Sequence, residues 1–115
     1  MWGRLTGMSF DDLTTRLRDF ADARDWEHFH TPKNLVMALS GEVGELTALF
    51  QWLTPEESAK AMDDPELKEK VLDEVADVAI YLTRLVDVLG VDLIEACHAK
   101  IDRNDRRFPA RTEAP

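Results

Sequence analysis

Cysteine is nearly absent: Cys97 stands alone among 115 residues, so no disulfide can staple the chain to itself. Positive charge is also scarce, with 14 Lys and Arg against 23 Asp and Glu and a formal net charge of −9. That balance repels the backbone of double-stranded DNA or RNA and argues against either as a main partner. It repels a free triphosphate equally, so a nucleotide ligand would require cations to neutralise its site. No apolar run approaches the length of a membrane span. Met1 to Met8 holds no apolar stretch of the kind a signal peptide needs, and a cytoplasmic protein is expected. Runs of β-branched residues, internal repeats, low-complexity tracts and linkers are missing as well.

What remains is a helix-forming composition, 44% hydrophobic and 32% charged, in a chain the size of one domain. A single domain over residues 1–115 is expected, with its core at about 10–109 and flexible ends at 1–8 and 110–115. Helix starts are marked repeatedly. Ser9 with Asp12 opens a helix over about Phe10 to Arg24. Asp25 to His30 has neither helical nor strand periodicity and reads as an aromatic loop. Thr31-Pro32 opens a second helix to about Leu53, with proline at the position where its missing N–H is harmless. Thr54-Pro55 opens a short helix ending near Met62, and Asp64-Pro65 a long one running to Leu89, stopped by Gly90. Asp92 with Glu95 starts the last, to about Arg107. The fold class is therefore all-α: four long helices in a bundle, with a short extra helix between the second and third. Their wide apolar faces exceed what one such chain can cover, which favours self-association.

The apolar stripes are interrupted in an informative way. On the second helix Leu35, Leu39, Leu46, Leu49 and Leu53 form one seam, and the member due at position 42 is Glu42. Glu45, one turn on, falls between Ala38 and Trp52. On the third long helix Val71, Val75, Val78, Leu82, Leu85 and Leu89 make the seam, yet Glu74 lies inside its arc and Asp77 at its edge. Acids at i and i+3 share a face. Two such pairs turned toward the packed side cannot stay ionised without positive partners. Rim ion pairs with Lys33, Lys70 or Arg84 are the plainer alternative, but these cations are too few for all four acids. Hard divalent cations bound by oxygen ligands satisfy the set, and Mg²⁺ keeps positions open for water and phosphate oxygens.

The last helix carries the opposite charge. Lys100, Arg103, Asn104 and Arg107 fall at i, i+3, i+4 and i+7 and form one stripe. Lysine and arginine suit phosphate oxygens, and Asn104 can donate to a phosphate or accept from a sugar hydroxyl. The plainer alternative is that these cations complement the helix macrodipole. Cys97 reads as a small core residue rather than a nucleophile, and His28 as a surface histidine.

Taken together, these residues resemble the all-α nucleoside triphosphate pyrophosphohydrolases of the MazG-like superfamily. Their E-x-x-E, spacer, E-x-x-D signature reads here as Glu42-Val43-Gly44-Glu45 and Glu74-Val75-Ala76-Asp77. Arg24 to Leu35, Phe50-Gln51-Trp52, Ile80-Tyr81-Leu82 and Lys100 to Pro109 look most like the dCTP pyrophosphatase group, although the connection from Trp52 to Glu74 is shorter than in its animal members. The resemblance implies a MazG-type bundle that works as a homodimer or homotetramer. It implies that Glu42, Glu45, Glu74 and Asp77 hold two or more Mg²⁺ ions, with Mn²⁺ as a possible substitute. Lys100, Asn104 and Arg107 would bind phosphates, and Trp26, Phe29, His30, Trp52 and Tyr81 would surround base and sugar. The activity implied is hydrolysis of a dNTP, dCTP or a modified dCTP, to monophosphate and pyrophosphate, cleaning the nucleotide pool. Glu45 is the candidate to orient or deprotonate the attacking water.

Two other readings stand beside it. A ferritin-like di-metal protein needs two Glu-x-x-His motifs, and only Glu95-Ala96-Cys97-His98 is present. A catalytically silent interaction module sharing the fold would retain the helices without turnover.

Overall fold

The computed structural model describes residues 8–111, and the described residues contain helices and turns but no strand. The ends expected to be flexible fall largely outside that range. Helix α1 spans Phe10–Ala23, α2 Pro32–Phe50, α3 Pro55–Ala59, α4 Pro65–Leu89 and α5 Leu93–Arg107, with a 3₁₀ turn at Ala61–Asp63. The all-α expectation and its five helices are those observed.

Among the described residues each α-helix begins where a side chain accepts from its free N–H groups. The Asp12 amide donates to Ser9 Oγ at 3.1 Å, and the Asn34 amide to Thr31 Oγ1 at 3.2 Å. Thr54 and Glu57 form a reciprocal box, amide to side chain in both directions, at 2.8 and 3.1 Å. Asp64 Oδ1 accepts from the Glu66 amide at 3.0 Å, and Asp92 Oδ1 from the Glu95 amide at 2.9 Å.

Helix ends differ from expectation in two places. Helix α2 stops at Phe50 rather than near Leu53, closing with a tight turn from the Leu53 amide to the Phe50 carbonyl at 3.0 Å. Pro55 forces Thr54 into extended backbone, so the helix must unwind before it. The same constraint at Asp64-Pro65 tightens the end of the α3 segment into the 3₁₀ turn. At the end of α1 the left-handed residue is Asp25, with φ of 55°, rather than a glycine. The Trp26 amide then reaches back to the Ala21 carbonyl at 3.0 Å, and the Trp26 ring meets Phe20 edge-on with centroids 5.6 Å apart. The aromatic loop is thus a sequence of tight turns pinned to α1. Gly90, at φ of 69°, makes the equivalent stop for α4.

Helix α2 lies along α4 in the most extensive packing of the chain, with α1 and the 3₁₀ turn against other parts of α4. Leu35, Ala21, Ala61, Val71 and Val86 are the buried apolar residues. Helix α5 buries no residue, and Cys97 on it is exposed rather than in a core. The radius of gyration is 17.7 Å, well above the roughly 13 Å of a compact domain of this length. In one chain, then, α5 adds little to the packing of the bundle.

Candidate metal centre and adjoining cavity

The α2–α4 pairing brings the four acids together. Glu42 and Glu45 project from successive turns of α2, Glu74 and Asp77 from α4. Glu42, Glu45 and Glu74 each offer a carboxylate oxygen within 4.8 Å of the others. Asp77 stands beside Glu42, whose carboxyl it helps to push up.

The electrostatics of the cluster are those of acids lacking counter-charges. Glu42 Oε2 and Glu74 Oε2 are buried without a hydrogen-bond partner, an arrangement that is costly unless something fills it. Burial, then the neighbouring Glu45 and Asp77, raise the Glu42 carboxyl above its ordinary range. Glu74 is pushed up to about 7, by burial first and then by the carboxylates of Glu45 and Glu42. Among the described residues Lys70 pairs with Glu66, and Arg84 and Arg18 pair with Asp87, so no ion pair reaches the four acids. Rim salt bridges therefore do not explain the cluster. An all-oxygen donor set with orphaned buried oxygens fits a hard divalent cation. The cluster contains no histidine, and Glu95 and His98 lie exposed on α5, so no ferritin-like ligand set is assembled.

Against the acids lies a cavity of about 420 Å³, lined mostly by apolar side chains of α1, the aromatic loop and α4. Asp77 belongs to its wall as well as to the acid cluster, and so connects the two. Trp26, His30 and Tyr81 line it, together with Leu13, Leu17 and Phe20 of α1. The volume is that of a small-ligand site.

The other anticipated side chains are elsewhere. Phe29 is exposed and its ring lies against His28, centroids 3.9 Å apart, because the turn at Glu27–Phe29 faces it outward. Trp52 is 86% exposed, since α2 ends two residues before it and the chain turns away. Lys100, Asn104 and Arg107 share α5 but make no hydrogen bond or ion pair with the acids; Arg107 lies over the Phe108 ring at 5.0 Å. Neither Phe29 nor Trp52 lines the cavity within one chain.

Arg84, Arg16 and the α1 wall are cavity residues that the sequence reading did not assign. A signal was present for Arg84: Asp77, Tyr81 and Arg84 fall at i, i+4 and i+7 on α4, one face of a helix.

The chain belongs to the MazG-like family, which matches residues 37–114. It is 44% identical over 102 residues to dCTP pyrophosphatase 1 of Homo sapiens, covering 89% of this chain and 60% of that protein. The Bos taurus protein of the same name is 43% identical over 101 residues, covering 88% and 60%. The chain thus spans about 60% of the length of these curated relatives. A crystal structure of a pyrophosphatase from Archaeoglobus fulgidus superposes with a TM-score of 0.80 at 40% identity, over 87% of this chain and 92% of that one.

Proposed function

We propose that the protein is a Mg²⁺-dependent pyrophosphohydrolase that converts a deoxynucleoside triphosphate, dCTP or a modified dCTP, to monophosphate and pyrophosphate, and so cleans the nucleotide pool. The observation that carries this reading is the junction at Asp77, where acids without counter-charges adjoin an aromatic cavity. A triphosphate needs cations and a base needs a flat apolar slot, and the two lie side by side. The names of the relatives, dCTP pyrophosphatase 1 and pyrophosphatase, support the same reaction.

Glu42, Glu45, Glu74 and Asp77 would hold the metal. Bound Mg²⁺ supplies charge neutralisation of the triphosphate and lowers the pKa of water near it. Glu45 is the most exposed member of the cluster of three glutamates, and it orients or deprotonates the water that attacks. The water oxygen forms a new bond to phosphorus as the P–O bond bridging the α and β phosphates breaks, the water's proton passing to Glu45, and monophosphate and pyrophosphate are the products. Trp26 and Tyr81 hold the base by stacking, and His30 by hydrogen bonding. Among the described residues no helix is long and apolar enough to cross a membrane.

A homo-oligomer supports this function better than a single chain. Met37, Val43, Leu72, Val75, Ile94 and Ile101 are exposed, as is Trp52, and α5 is open along its length. A second copy covering these surfaces would bring Trp52 and the Lys100, Asn104 and Arg107 stripe toward a site that one chain leaves without cations.

The test is incubation with dCTP, modified dCTPs, dTTP and dUTP with and without Mg²⁺, reading pyrophosphate and orthophosphate separately. Pyrophosphate from a cytosine nucleotide, abolished by chelator, is expected. Orthophosphate as the product would refute the reading.

A further inference from the structure

The cavity wall contains a buried cation that metal binding does not use. Arg84 is only 6% exposed. Its Nε donates to His30 Nδ1 at 3.1 Å, and its Nη1 to Asp87 Oδ2 at 3.0 Å. Asp87 is held from its other side by Arg18, whose Nε and Nη2 reach it at 3.1 and 2.6 Å. Three helix residues and one loop residue thus form a single chain of contacts, Arg18 to Asp87 to Arg84 to His30. Stability alone is a poor explanation for it, because apolar replacements of buried ion pairs are commonly as stable or more so.

The chemistry at its end is directional. A guanidinium has donors and no acceptor. The ring nitrogen of His30 that faces Arg84 must therefore carry a lone pair, and a neutral imidazole then bears its proton on the other nitrogen. Burial, and then the charge of Arg84, push the His30 pKa down and keep the ring neutral. The Trp26 ring, 6.0 Å away and inclined at 61°, limits rotation of the imidazole. His30, Trp26, Tyr81 and Arg84 all line the same cavity.

We infer that Arg84 is a positioning residue that locks His30 in the Nε2–H tautomer and makes it a dedicated hydrogen-bond donor to an acceptor atom on the ligand's ring edge. The ligand class is a flat heteroaromatic ring with a carbonyl oxygen or unprotonated ring nitrogen on that edge, such as a pyrimidine base. An edge presenting only N–H groups would leave two donors facing each other and is rejected. The ligand half of this inference rests on the proposed nucleotide hydrolysis; the tautomer half does not.

The experiment is the long-range ¹H–¹⁵N spectrum of the histidine side chains in the full chain, with His30 assigned by its loss in His30→Gln, alongside steady-state kinetics with dCTP and Mg²⁺. Wild type is expected to show one protonated nitrogen, Nε2, and one unprotonated, Nδ1. Arg84→Met is expected to average the two nitrogens and to raise KM about tenfold, with kcat held within about twofold, as for one lost hydrogen bond. Arg84→Lys, which keeps the charge and a donor, retains the tautomer. If Arg84→Met loses its helical circular dichroism, Arg84→Gln takes its place: a side-chain amide can both donate and accept, so the same averaging is expected. Wild-type His30 protonated at Nδ1 or on both nitrogens, or a spectrum unmoved by Arg84→Met, overturns the lock. Wild-type protein that hydrolyses no nucleotide overturns the proposed function, while the nitrogen spectrum of the same sample still decides the tautomer.

Discussion

Glu45→Ala is expected to lower pyrophosphate release from dCTP on the order of 10³-fold, the scale of losing a positioned general base. Glu45 belongs to the cluster of three glutamates, and it is the one whose side chain is open to solvent, where water can reach it. The partly buried Glu42 and Glu74 have oxygens sealed from solvent, so they are suited to holding a cation rather than meeting a water. Glu45→Gln keeps the shape and oxygen of the side chain but not its charge or basicity, and a loss of similar size is expected. Initial rates at saturating nucleotide and Mg²⁺ measure the effect. Turnover unchanged by Glu45→Ala would remove this residue from the mechanism.

The second large effect concerns stability, and it separates the acids as a metal site from acids as surface decoration. In metal-free protein Glu74 titrates near 7, against 4.5 for an ordinary glutamate. Between those values the folded chain keeps the Glu74 proton that the unfolded chain has lost. Raising the pH through that window therefore favours unfolding, and the Glu74 contribution to stability is gone above about 7. His30 acts oppositely, because its pKa is lowered by folding, so stability from that group rises with pH toward 6.5. Glu74→Gln isolates the first effect, since the amide cannot ionise. At pH 8 without metal, Glu74→Gln is expected to melt several degrees above wild type, and the difference between the two should vanish near pH 4. Adding Mn²⁺ or Mg²⁺ at pH 8 should raise the wild-type Tm, since cations bind the folded acids and not the unfolded chain. It should leave the variant much less changed. The substitution that stabilises the empty protein is expected to impair catalysis, since function requires like charges to be held together.

The helix starts and the acid cluster were legible because each has a local cause. A capping Ser, Thr or Asp, with Pro next at Thr31, Thr54 and Asp64 and an acid three residues on at Ser9 and Asp92, fixes a helix start within one turn, and all five cap in the structure. Glu42 stood out because it stands where the seam of its helix calls for a leucine, and Glu74 because it lies inside the apolar arc of its own. Helix ends were less legible: the stop at Phe50 depends on how far Pro55 forces unwinding. The cavity was half visible. Its aromatic loop was read, but Leu13, Leu17 and Phe20 on α1 follow the same i, i+4, i+7 rule as any core face, and sequence does not tell a core from a slot. In the sequence Arg84 figures only in the rejected alternative of rim ion pairs, and its contacts run the other way, to His30 and Asp87. The placement of Trp52 and of the α5 cations depends on tertiary packing, and no local pattern encodes it.

The anomalous difference map of a crystal grown or soaked with Mn²⁺ tests the central claim most directly. Density is expected among Glu42, Glu45, Glu74 and Asp77, with carboxylate oxygens about 2.0–2.2 Å from it. A map featureless there at saturating Mn²⁺, with the four side chains turned outward into solvent, would contradict the account.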